Sequence, residues 1–159
     1  MAIQIAQYKG KSLTSRIIRF ITWSEYSHTA IILAEDTIVE AWEGCNQVRI
    51  VSSLSEGHTA GTTVDIYDIR MGTKQEEKFR EFIAEQVGKK YDYWGILGFL
   101  RRRDLERGES WFCSELFAAA CQEAGVVLLH NCRPAQTSPG LVTRSPITNY
   151  VRTIVTSAL

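Results

Sequence analysis

The sequence predicts an α+β fold, an antiparallel sheet packed by helices, on three observations. Residues 28–42 hold two short apolar runs, His28 to Leu33 and Thr37 to Trp42, separated by Ala34-Glu35-Asp36, which is the pattern of a β-hairpin. Residues 63–69 (Thr-Val-Asp-Ile-Tyr-Asp-Ile) alternate apolar and polar, the pattern of a half-buried strand. Two further stretches, near 73–87 and 113–124, carry apolar residues at helical rather than alternating spacing.

The remaining elements follow in chain order. Residues 2–8 read as a strand through Ile3 and Ile5, and Lys9-Gly10-Lys11 is a turn. From Ser12 to Trp23 the apolar residues Leu13, Ile17, Phe20 and Ile21 fall on one helical stripe, and Ser12 suits the N-cap because its hydroxyl can accept an orphan backbone N–H. Val48 to Val51 adds a strand, and the Ser- and Gly-bearing residues 52–61 form a loop. Thr73 is placed as the cap of a helix whose stripe is Phe79, Phe82, Ile83 and Val87, with Gly88 as its stop. A link, Lys89 to Tyr93, leads to a short apolar helix over about 93–100 and a charged loop over 101–109. Ser110 precedes a helix that starts near Cys113 and ends near Ala124-Gly125. A short helix near 139–143 and a strand over 149–156 complete the chain.

Length and composition narrow the function classes. The 159 residues suit a single domain, 1–159, with one sizeable core, and 45% hydrophobic content excludes a disordered chain. Lys+Arg and Asp+Glu both number 18, a balance that argues against a nucleic-acid binder. No apolar run approaches the about 18 residues that span a bilayer, and no signal peptide is read at the N-terminus, so a cytoplasmic chain without a transmembrane segment is expected. Cys45, Cys113, Cys121 and Cys132 include no C-x-x-C pair, so no metal site and no cofactor are expected. Cys113 and Cys121 would stand about 12 Å apart along one helix, too far for a disulfide.

Cys113 is the candidate nucleophile. A thiol in the first turn of a helix faces unpaired N–H groups and the positive end of the dipole, both of which favour thiolate. His28 opens an apolar strand and is the candidate base. A hairpin turn centred near 34–36 sets Glu40 across from His28, within about 5 Å on the same face. Glu40 interrupts an otherwise apolar strand, Ile38-Val39-Glu40-Ala41-Trp42, and a buried carboxylate needs a partner. Nucleophile, base and orienter then form a triad. Each residue alone has a plainer reading: a core cysteine, a surface histidine, a solvent-facing glutamate. The combination sets a catalytic site level with these plainer readings.

Four stretches, Tyr26-Ser27-His28-Thr29-Ala30-Ile31-Ile32-Leu33, Ile38-Val39-Glu40-Ala41, Gly88-Lys89-Lys90-Tyr91-Asp92-Tyr93 and Trp111-Phe112-Cys113-Ser114-Glu115-Leu116, together resemble the circularly permuted papain-like branch of the NlpC/P60 superfamily. This is the YiiX/YaeF-like group of amidases and peptidases, related to lecithin:retinol acyltransferase-like proteins. The resemblance implies a permuted papain-like fold in which His precedes Cys, with Cys113, His28 and Glu40 on the catalytic positions. It implies a cysteine-dependent amide hydrolase, acting through a thioester on a peptide, a peptidoglycan stem or a lipid amide. Lipid acyl transfer or thioester hydrolysis is the alternative, and an inactive binding module the third. A chain of this kind without a leader fits a cytosolic protein, phage-encoded or delivered by a signal-independent route.

Other residues carry weaker expectations. Tyr26, two residues before His28, is a candidate second oxyanion donor beside the Cys113 backbone N–H. His58 and His130 are expected to be solvated. Trp23, Trp42, Trp94 and Trp111 are core or groove aromatics. Arg101 to Arg103 reads as a solvated loop interleaved with Asp104 and Glu106, with steering of an anionic substrate as its functional reading.

Overall fold

The computed structural model describes residues 2–91 and 110–158. The expected helix at 93–100, the loop at 101–109 with Arg101 to Arg103, and Asp92, Tyr93 and Trp94 lie outside the described residues.

Among the described residues, eight strands form one sheet in the order β7-β6-β4-β3-β2-β1-β5-β8. They are β1 (Gln4–Lys9), β2 (His28–Ala34), β3 (Thr37–Trp42), β4 (Gln47–Val51), β5 (Thr63–Ile69), β6 (Lys90–Tyr91), β7 (Ser110–Trp111) and β8 (Thr148–Val155). Every pairing is antiparallel except β6 with β7, which is parallel. The helices among the described residues are α1 (Leu13–Thr22), α2 (Thr73–Gln86), α3 (Cys113–Glu123) and α4 (Pro139–Val142), with 3-10 turns at Glu43–Cys45 and Pro134–Gln136. The expected α+β architecture of an antiparallel sheet packed by helices is what these elements build. Among the described residues no helix is long and apolar enough to cross a membrane.

The alternation of side chains along the strands divides the buried residues into two clusters. On one face Ile5, Ile31, Val39, Ala41 and Val48 pack with Phe79 and Ile83 of α2 and with Leu116, Phe117 and Cys121 of α3. On the other face Ala6, Tyr8, Ala30, Ile32, Ile38, Val51, Val64 and Ile66 pack together. The central strands β2 and β3 are thus buried on both sides. That is why their sequence reads as nearly continuous apolar runs, and why a polar residue within them stands out.

Helix ends follow the expected chemistry with one change. The Ser12 hydroxyl accepts from the Ser15 N–H at 3.1 Å, as an N-cap should. Thr73 is the first helical residue rather than the cap. Gly72 takes the cap position, and its N–H donates to Gln75 Oε1 at 2.9 Å. α1 shows the larger difference: the stripe Leu13, Ile17 and Phe20 that marks it as a helix faces solvent, and Ile18 is the side chain it buries.

Candidate active site

Glu40 is the hub of the site. It lies on β3, on the face shared with Ile38, and is only 1% exposed. An ionised carboxylate at that depth persists only if its oxygens are fully hydrogen-bonded. They are. Oε2 contacts His28 Nε2 at 2.7 Å and His58 Nε2 at 3.2 Å. Oε1 accepts from Arg49 Nε at 2.9 Å and Arg49 Nη2 at 2.6 Å, so two guanidinium N–H groups converge on one oxygen. Burial pushes the Glu40 carboxyl upward, but the hydrogen bonds of His28 and His58, with the His28 charge, outweigh it and hold the group well below the ordinary carboxylate range.

His28 reaches Glu40 by a register different from the one the hairpin suggests. Ile31 lies opposite Val39 and Ile32 opposite Ile38, with an irregularity between Ile32 and Ala34. Continued, this register sets Ala30 opposite Glu40, so His28 meets the carboxylate on the diagonal, a distance long side chains bridge. The direct cross-strand neighbour of His28 is Tyr8 on β1. Their rings meet edge-on at 5.3 Å, and Trp42 meets the imidazole edge-on from another side at 5.4 Å. The ring is thereby fixed by aromatic walls as well as by Glu40.

His28 also feels Cys113, the first residue of α3. Burial pulls its pKa down. The Cys113 charge and hydrogen bond, followed by Glu40, overcome that and raise it from 6.5 to about 10. His28 is therefore held protonated through neutral pH, with Cys113 on one side of the ring and the Glu40 carboxylate on the other. Cys113 is buried. It opens the helix from an extended Phe112 cap, and Glu115 Oε2 accepts the Phe112 N–H at 3.3 Å. The next side chain, Ser114, donates to the Thr137 carbonyl at 2.6 Å and pins the first turn. Cys45, Cys121 and Cys132 are free thiols with no part in this cluster, and burial pushes the Cys121 thiol far up.

His58 and Arg49 are the residues that sequence reasoning missed. His58 was expected in solvent. Instead it stacks on Tyr8 at 3.9 Å, leans on Trp42 at 4.5 Å and bonds Glu40. Burial first, and the His28 charge after it, hold its pKa below the ordinary value, so it is a neutral donor beside the charged His28. Arg49 stands directly across from Glu40 on β4 and lies 4.8 Å over the Trp42 ring. Gly57 places both. It takes φ +78°, a conformation that favours glycine, and a Cβ there would meet Arg49 Nη2 at 2.7 Å. The same Nη2 donates to the Glu56 carbonyl at 2.9 Å.

Tyr26 stands apart from this cluster. Its hydroxyl donates to Asp65 Oδ2 at 2.7 Å and contacts the Tyr67 hydroxyl at 2.9 Å. Asp65 also receives Lys9 at 3.1 Å. A hydroxyl committed to a carboxylate in this way is occupied, and Tyr26 does not line the cavity beside His28. That cavity, about 230 Å³, is bounded by Tyr8, His28, Trp42, His58 and Tyr91 on one side and by Lys11, Ser12 and Ser15 on the other. His130 is exposed, as expected; Trp111 is core, and Trp23 is on the surface.

The thiol of Cys113 at the start of α3, the His28 imidazole and the Glu40 carboxylate thus stand in one line within the protein. His28, Glu40 and His58 also form a cluster whose ligating atoms lie within 4.8 Å of one another, a donor set capable of holding a metal ion. Its members come from three separate segments, so no ligand spacing marks it in the sequence. The crystal structure of metalloprotein yiiX from Escherichia coli O157:H7, DUF1105, is similar in fold to this chain. It superposes with a TM-score of 0.66 at 17% sequence identity, over 96% of this chain and 96% of that one. No protein-family model and no curated protein matches the sequence.

Proposed function

We propose that the chain is a cysteine-dependent amide hydrolase of the circularly permuted papain-like, NlpC/P60 kind, with Cys113 as nucleophile, His28 as acid and base, and Glu40 as orienter. The observation that carries this reading is the buried line from the first residue of α3 to His28 to Glu40, in which the two ends both act to keep the imidazole charged. With Nε2 committed to Glu40, Nδ1 is the ring nitrogen left for the thiol.

The reaction follows from those roles. The Cys113 thiolate attacks the carbonyl carbon and a carbon–sulfur bond forms. Charge develops on the carbonyl oxygen, and the Cys113 backbone N–H at the helix start is a donor for it. Protonated His28 gives its proton to the leaving amine as the carbon–nitrogen bond breaks. Neutral His28 then takes a proton from water, which hydrolyses the thioester and regenerates the thiolate and imidazolium. Arg49 and His58 keep Glu40 ionised and fixed throughout. The cavity beside His28 holds the acyl group. Intact-mass analysis after incubation with a mixed set of peptide and lipid amides and esters tests the reading. A thioester adduct on Cys113, absent from Cys113→Ala, supports it and names the acyl class. Adducts that persist in Cys113→Ala refute it.

A second reading rests on the His28, Glu40 and His58 cluster and on the description of its structural neighbour as a metalloprotein. Two imidazoles and a carboxylate suit zinc and similar ions. Against it, Arg49 already neutralises Glu40 through both fork nitrogens, and His28 would have to leave its ion pair to become a neutral ligand. Metal analysis of dialysed protein separates the two readings. Stoichiometric metal lost in His58→Ala supports the second, and full thiol reactivity after chelation supports the first.

A further inference from the structure

α1 is an amphipathic helix turned inside out. Leu13, Ile17 and Phe20 recur at helical spacing and are 75%, 45% and 78% exposed, and Trp23 at the helix end is 89% exposed. The Phe20 and Trp23 rings stack at 6.4 Å, so they form one apolar surface. Trp23 occupies the left-handed C-terminal position of the helix, φ 51°, where glycine is the usual resident because a side chain is disfavoured there. An exposed indole at a position that favours glycine is a cost without a return unless the ring has something to enter.

The charge around this face says what that is. From Lys9 to Ser24 the chain carries Lys9, Lys11, Arg16 and Arg19 and no acidic residue. Arg16 and Lys11 are exposed on the rim. The first carboxylate beyond, Glu25, is paired with Lys9 at 2.9 Å. Aromatic and aliphatic side chains on one face, flanked by cations whose stems can lie along the apolar surface, are the composition of a helix that rests in a lipid–water interface. A protein partner would need no such one-sided charge.

We propose that α1 docks the protein on an anionic lipid bilayer, with Leu13, Ile17, Phe20 and Trp23 inserted at the headgroup boundary and Lys11 and Arg16 against the lipid charges. The opposite face of the same helix carries Ile18 inward and, with Ser12 and Ser15, lines the cavity beside His28. Docking therefore sets α1 between the bilayer and that cavity.

Co-sedimentation with vesicles tests this directly. Wild-type protein is expected to partition onto vesicles of equimolar phosphatidylcholine and phosphatidylglycerol about tenfold or more better than onto phosphatidylcholine alone, and added salt should erase the difference. Phe20→Ser and Trp23→Gly should each weaken partitioning by about tenfold. Trp23→Gly should do so with thermal stability unchanged or raised, since glycine relieves the left-handed residue. Arg16→Glu should remove most of the preference for phosphatidylglycerol. Failure of wild type to bind either vesicle, or undiminished binding by Trp23→Gly and Phe20→Ser, overturns the proposal. So does a dimer in light scattering that those variants dissolve, which assigns the face to a second copy. Sedimentation does not use the thiol, so the outcome is independent of whether Cys113 is nucleophilic.

Discussion

Replacing Glu40 by Gln removes one charge and almost no volume, and its cost is set by what Glu40 holds. The carboxylate is 1% exposed and takes four contacts, from His28 at 2.7 Å, His58 at 3.2 Å and Arg49 at 2.9 and 2.6 Å. The Gln carbonyl can replace Oε1 and keep the Arg49 fork as hydrogen bonds from a charged guanidinium to a neutral acceptor. The amide NH2 must then occupy the Oε2 position and face two ring nitrogens that both donate there, so those contacts turn repulsive unless the imidazoles change tautomer. Breaking a buried ion pair by removing one partner costs about 3–5 kcal/mol, and the retained fork places this variant near 3. For a chain of this size each kcal/mol lowers Tm by about 2–4 °C, so calorimetry should find Glu40→Gln lower by about 6–12 °C. His28 should also lose part of its raised pKa, visible in the imidazole proton shifts by NMR. A Tm within about 2 °C of wild type, with an unchanged His28 titration, would refute the argument that Glu40 is a buried, charged hub.

Three further outcomes follow from the same cluster. The His28 pKa is raised from 6.5 to about 10 against burial, with Cys113 the largest raising influence, so the associated stability is complete below pH 6.5 and is lost as pH rises toward about 10. Cys113→Ala should move that alkaline loss to lower pH in thermal melts taken across the range. The Glu40 carboxyl is held below 4.5, so its contribution is complete above that value and drains away as pH falls beneath it. Glu40→Gln should flatten the acid limb. Gly57→Ala should cost about 1–3 kcal/mol in denaturant unfolding, because it combines a left-handed backbone with a close approach to Arg49. It should also quench the His58 ring shifts that stacking on Tyr8 produces; stability equal to wild type would show that the loop adapts freely.

Much of the fold and the centre of the site were legible in the sequence for physical reasons. Strands β2 and β3 are buried on both faces, so their apolar runs were unmistakable and Glu40 stood out against them. Cys113 was marked by its place at a helix start. The residues that sequence reasoning missed show where it stops. Arg49 had a usable signal, an opposite charge directly across from Glu40 once β4 is paired with β3, but the reading followed the β2–β3 hairpin alone. His58 had none: it sits in an irregular loop, and only tertiary packing carries it from Ser- and Gly-bearing sequence onto Tyr8. His28 meets Glu40 on the diagonal because the observed pairs, Ile31 with Val39 and Ile32 with Ile38, centre the hairpin on residue 35, which sets Ala30 rather than His28 opposite Glu40. α1 was recognised as a helix from its stripe, yet the direction of that stripe depends on what surrounds it. Ile18 is its one fully buried side chain, and Ile21 of the stripe is half-buried.

The rate at which each cysteine is alkylated by iodoacetamide at neutral pH, resolved by peptide mass mapping, tests the central claim most directly. Exposure alone ranks Cys45 first, Cys132 next, and the buried Cys113 and Cys121 last. A His28-paired thiolate reverses that order for Cys113. The account predicts that Cys113 is labelled fastest, that His28→Ala slows it to the level of Cys121, and that Cys45 is unaffected by the substitution. Labelling in order of exposure, with Cys113 indifferent to His28→Ala, would contradict it.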